Sequence, residues 1–138
     1  PLPGSGGAAG SGCSPGAGPL PDGVWFGYVV ATSATDVDFD LACFYFGAIA
    51  YTEGAADGVE VNNDYYVRNV NPTLRTVPVA STATVYELDA GYVGFLTVPF
   101  SGWPVDPSGG LSCPSTSCQV WLFVNGGEVT EILEQFTP

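Results

Sequence analysis

The stretch QVWLFVNGGEVTEIL, residues 119–133, decides the fold class. Two runs rich in β-branched and aromatic residues flank Asn125-Gly126-Gly127, which reads as a β-hairpin closed by a tight turn. Working outward, the same texture recurs. VWFGYVVAT (24–32) reads as a strand, and Gly27 within it predicts a bulge or a close backbone approach. DYYVRNV (64–70), TVPVA (76–80), ATVYEL (83–88) and GYVGFLTVPF (91–100) read as further strands. Pro78 favours an edge or a bulge, and Pro72 pushes Asn71 to extended backbone in the NPTL turn.

One stretch, TDVDFDLACFYFGAIAYTEGAADG (35–58), has a different period. Leu41, Tyr45, Ala48, Ile49 and Thr52 fall at i, i+4, i+7, i+8 and i+11, a helical spacing. Asp38 or Asp40 would cap its start, and Gly54 or Gly58 would end it. Phe44, Phe46, Ala50 and Tyr51 cover the other side, so such a helix must be wrapped by its own domain or covered by a partner. A buried strand, ACFYFGAIAY, is the alternative that periodicity leaves open. The expected fold is therefore α+β and mainly β: a small antiparallel barrel or sandwich-like domain with one helix over residues 22–138. Residues 1–21, PLPGSGGAAGSGCSPGAGPLP, form a Gly/Pro-rich arm that cannot order itself unaided.

The chain of 138 residues fits one domain. Lysine and histidine are absent, two arginines face fourteen acidic residues, and the formal charge is −12. No imidazole can serve as a base near neutral pH, no lysine can form a Schiff base, and no basic patch can hold nucleic acid. The expectation is a protein that is not an enzyme, does not bind nucleic acid and does not insert into a membrane, since its longest apolar run (41–51) is too short to span a bilayer. Charged residues make up 12%, about half the usual share. Such a surface leaves apolar area in water, which points to a homo-oligomer or polymer with Phe44, Phe46 and Tyr51 at the contact.

Four cysteines fit two disulfides and an oxidising compartment. Of the three connectivities, the reading takes Cys113–Cys118, which closes the small CPSTSC loop, and Cys13–Cys43, which ties the arm to the first apolar segment. A chain that begins at Pro1 without a visible leader reads as a processed, secreted, extracellular product. Asp36, Asp38 and Asp40 alternate, so on a strand they share one face. They open like a calcium-binding EF-hand loop, but Leu41 and Gly47 stand where that loop needs Gly and Glu. A looser site on these aspartates makes calcium the one candidate cofactor. Asp57, Glu60, Asn62, Asn63 and Asp64 form a second oxygen-rich loop. Arg68 and Arg75 are expected in structural ion pairs bracing the NPTL turn. Trp25, Trp103 and Trp121 are candidates for stacking on sugars or for core and interface anchors.

NDYYVRNVNPTLRTVPVA (63–80) resembles an uncharacterised family of small secreted proteins of Gram-positive bacteria. GCSPGAGPLPDGVWFGYV (12–29), FDLAC (39–43) and VNGGEVTEILEQFTP (124–138) are similar to it as well. The resemblance implies a single secreted domain, supports pairing Cys13 with Cys43, and carries over no catalytic residue. This chain departs from it in FYFGAIAYTEGAADG, more aromatic than the family's Ala- and Glu-rich helix, and in the added CPSTSC. The expected function is a secreted structural protein that self-associates, as an extracellular filament or matrix subunit whose arm contacts a neighbour. The alternatives are a monomeric secreted binding module for neutral ligands such as glycans, and a calcium-stabilised cell-surface domain.

Overall fold

The computed structural model describes residues 11–88, 94–103 and 118–137. Eight strands and one α-helix follow in the order β1 (Gly23–Thr32), β2 (Asp36–Leu41), β3 (Cys43–Phe46), α1 (Ala48–Ala56), β4 (Tyr65–Arg68), β5 (Leu74–Leu88), β6 (Phe95–Pro99), β7 (Cys118–Asn125) and β8 (Glu128–Glu134). A 3-10 turn (Phe100–Gly102) follows β6. The main sheet runs β2-β1-β7-β8-β5-β6, and β2 also pairs with β5, so five strands close into a barrel with β6 attached to β5. All the ladders are antiparallel except β5–β8. Taking the barrel strands in chain order, first pairs with second, second with third, third in parallel with fifth, fifth with fourth, and fourth with first. That closure makes a five-stranded barrel with one parallel pair among its ladders.

The alternation of each strand sorts its side chains into two layers. Trp25, Val37, Phe39, Leu41, Val77, Val85, Val120, Leu122, Val129 and Ile132 fill the interior. The opposite sides of β1 and β7 carry Phe26 and Trp121, which pack with Phe44 of β3 and Tyr65 of β4 in a second cluster. The antiparallel β3–β4 pair, connected through α1, thus lies outside the barrel as a lid on β1 and β7. Gly27 sits where no side chain fits: a Cβ there would lie 2.3 Å from the Asp40 carbonyl oxygen and 2.6 Å from the Phe39 ring. The close approach expected at this glycine is therefore present, and a register shift between Val29 and Ala31 supplies a bulge two residues on.

The helix is shorter and later than the periodicity suggests. Residues 43–46 form a strand, and α1 starts only at Ala48 because Gly47, at φ 69°, takes the left-handed backbone that ends β3. Tyr45 and Leu41 therefore do not belong to a helical face. Asp38 and Asp40 cap nothing; both lie within β2, where β pairing to β1 and β5 outweighs their capping preference. TVPVA and ATVYEL are one strand rather than two. β5 pairs with β2 up to Pro78 and with β8 from Val79 onward, so the proline stands where the strand changes partners.

Residues 11–22 belong to the domain rather than to a free arm. The disulfide joins Cys13 to Cys43 of β3, and Leu20 is buried in the interior cluster. Trp25 donates its indole N–H to the Pro21 carbonyl at 2.8 Å. Asp22 accepts the N–H groups of Gly126 and Gly127 at 3.1 and 3.2 Å, clasping the β7–β8 turn. The segment closes the barrel mouth at which β1, β5 and β8 begin.

Candidate functional site

The lid covers β1 and β7 and leaves the outer face of β2 and the first half of β5 open. Along β2, Val37, Phe39 and Leu41 point inward, so Asp36, Asp38 and Asp40 share the outward face, as their spacing requires. Leu74, Thr76 and Pro78 continue that face on β5. The three carboxylates do not converge. Asp36 accepts from the Thr35 hydroxyl, Asp38 from the Thr76 hydroxyl and Asp40 from the Asn69 amide, each at 2.9 Å. Among the described residues no group of three or more acidic, cysteine or histidine side chains is disposed to hold a metal ion.

A groove opens at the Asp40 end of this face. It encloses about 470 Å³ between the aliphatic walls of Val30, Val70, Pro72 and Leu74, with Asp40, Asn69 and Asn71 as its polar groups. Val70 and Leu74 are 77% and 57% exposed. Asn71 accepts the Thr73 N–H at 3.0 Å, a local bond that fixes the course of the NPTL turn along the groove. On the other side of Val70 and Asn71 a second cavity of about 340 Å³ reaches Tyr45, Arg68 and the Cys13–Cys43 bridge. The strand periodicity predicted the shared carboxylate face. The groove needed the pairing of β2 with β5, which brings residues 40 and 74 together across the chain.

The two arginines do different work from each other. Arg68 pairs with Glu53 at 2.7 Å and Asp57 at 2.8 Å, and its guanidinium lies 5.4 Å from the centroid of the Tyr45 ring. These bonds join β4 to α1 rather than bracing the NPTL turn, because Glu53 and Asp57 sit at the end of the helix packed on β4. Hydrogen bonds from Arg68 and then from Tyr66 hold the Asp57 carboxyl below its ordinary value. Arg75 forms no ion pair among the described residues. It points into the barrel mouth, 8% exposed, and donates to the Gly16 and Gly18 carbonyls at 2.9 and 3.3 Å. β-Strand alternation turns it inward, away from Asp38 and Asp40, so its partners are the backbone of the covering segment.

The aromatic residues divide in the same way. Trp25, Trp103 and Trp121 are buried and cannot stack on a ligand. Phe44 is buried against Phe26, Tyr65 and Trp121, which corrects its expected place at an intermolecular contact. Phe46 and Tyr51 are 44% and 46% exposed, and the Tyr51 hydroxyl bonds to Asp64. Cys118 is disulfide-bonded; Cys113, its expected partner, lies outside the described residues.

Sequence reasoning missed Glu134. It alternates with Ile132 and faces the interior at the mouth opposite Arg75, 1% exposed. Its carboxylate accepts the Leu88 N–H and the Trp103 indole N–H, both at 2.8 Å. Burial, then the nearby Glu134 charge, pushes the Glu87 carboxyl above its ordinary value. The signal available was a carboxylate at an inward position of β8, in the hairpin identified first.

Compared with protein-family models, with curated proteins and with solved structures, the chain gives no match. Among the described residues, no helix is long and apolar enough to cross a membrane.

Proposed function

We propose that this chain is a secreted, non-enzymatic binding domain that holds a neutral, hydroxyl-rich ligand such as a glycan on the open face of β2 and β5. The groove at Asp40 carries the reading. Carboxylate and amide oxygens accept bonds from hydroxyl groups, and Val30, Val70, Pro72 and Leu74 offer aliphatic walls to the C–H faces of a sugar. Barrels of this closure order use the same pair of strands for oligonucleotides and oligosaccharides, an analogy of fold alone. Three aspartates on the face and a charge of −12 repel a nucleic acid and leave the saccharide. The Cys13–Cys43 bridge supports an oxidising compartment, in line with the resemblance to secreted proteins.

A glycan array followed by titration of the hit under NMR tests this. Shifts confined to residues 30, 40 and 69–74, lost in Leu74→Asp, are expected. Binding unchanged by Leu74→Asp, or no hit on the array, refutes the site.

A second reading, a self-associating extracellular structural subunit, is favoured by the side chains that remain in water: Phe46, Tyr51, Phe95 and Leu96 are each more than 40% exposed. Sedimentation and negative-stain microscopy test it, and a monomer at the highest soluble concentration excludes it.

A further inference from the structure

We infer that self-association, if the second reading holds, runs through the outer edge of β6, unpaired among the described residues, which pairs with the same edge of a second copy. The inference rests on that reading and gives it an interface. β6 pairs with β5 on one side only, and among the described residues no strand lies on its other side. An unpaired edge is a row of backbone donors and acceptors in strand geometry, and what satisfies it is another strand.

The side chains narrow the partner further. Phe95 and Leu96, 49% and 56% exposed, are consecutive and so stand on opposite faces of the sheet. A partner lying on one face could cover one of them but not both; a strand added to the edge touches both. The partner is a second copy because the edge is uncharged and complementary to itself. In a chain of net −12, β6 (FLTVP) holds no ionisable side chain. Its edge offers no carboxylate to attract a basic partner, and none to repel its own copy. An antiparallel pair about a two-fold axis at Thr97 sets Leu96 against Val98 and Phe95 against Pro99, apolar against apolar. Pro99 ends the donor row, so the contact is short. Repulsion between the two acidic bodies also opposes it, and the association strengthens with added salt.

Sedimentation velocity on the whole oxidised chain across a range of NaCl concentrations tests the interface. Leu96→Lys and Thr97→Lys charge the exposed edge without touching the interior, and a circular dichroism spectrum confirms their fold. Self-association weakened about tenfold or more in both, and unchanged in the double variant Phe46→Ser/Tyr51→Ser, is the result expected. Thr97→Cys should also cross-link as a homodimer on mild oxidation, while Thr52→Cys on α1 should not. Association that survives both lysine variants but is lost in Phe46→Ser/Tyr51→Ser overturns the β6 assignment and leaves self-association standing. A chain that never associates overturns both.

Discussion

Replacing Glu134 with glutamine changes one oxygen to an NH₂ group and should damage the fold far more than that size suggests. Among the described residues the carboxylate accepts two N–H donors in a site closed to water, from Leu88 on one oxygen and Trp103 on the other. Glutamine keeps one acceptor. Whichever way the amide turns, its NH₂ meets an N–H, so one bond is lost and one buried donor is stranded. A hydrogen bond to a charged group contributes about 1.5–3 kcal/mol and an unsatisfied buried donor costs about 1–3 kcal/mol; since the two overlap, a loss of about 3 kcal/mol follows. With the urea dependence usual for small domains, the unfolding midpoint should fall by about 1–3 M. A second readout is independent of that one. Removing the charge should lower the Glu87 pKa, measured by carboxyl NMR, yet leave it above the ordinary value, because burial is the larger cause of its elevation. A raised folded pKa gives stability that is present at low pH and lost as pH rises through it, so the variant should lose less stability on that limb. A midpoint within error of the parent, with Glu87 unmoved, would refute the interior placement of this carboxylate.

Three further outcomes test other parts of the fold. Cys13→Ser with Cys43→Ser opens a loop of 30 residues and should lower stability by about 3–4 kcal/mol, read from urea unfolding of the two forms side by side. Gly54→Ala in α1 would ordinarily stabilise a helix by about 1 kcal/mol. Here the added Cβ lies 2.5 Å from the Val61 methyl and 3.2 Å from the Val59 carbonyl oxygen, so the melting temperature should fall. Asp57, held below its ordinary pKa by Arg68 and Tyr66, gives stability that is present above its unfolded value and lost as pH falls through the folded one. Asp57→Asn should therefore flatten the acid side of the stability profile in a thermal melt series, and an unchanged profile would count against the Arg68 bridge.

The strands were legible where alternation and turn chemistry act locally: QVWLFV–NGG–EVTEIL became β7 and β8, and VWFGYVVAT became β1. The outward carboxylates of β2 followed from alternation alone. What misled was FYFGAIAY, whose aromatic residues serve two elements. Its first half joins a strand that covers Phe26 and Trp121, and that demand is set by residues far away in sequence. Arg75 shows the same limit. Its preference for a carboxylate is sound, but the strand direction that turns it inward depends on which strands flank β5. The groove at Asp40 was illegible for this reason too, since its walls come from β1, β2, the start of β5 and the segment between β4 and β5.

The covering segment also orients the molecule. Ser11 is bonded beside Val24, near the β7–β8 turn, at the pole where Arg75 lies. Phe95 and Leu96 ride on the last residues of β5, toward the opposite pole. The covering segment and that greasy edge therefore stand at opposite poles of one barrel, so a ligand or partner at one need not crowd the other.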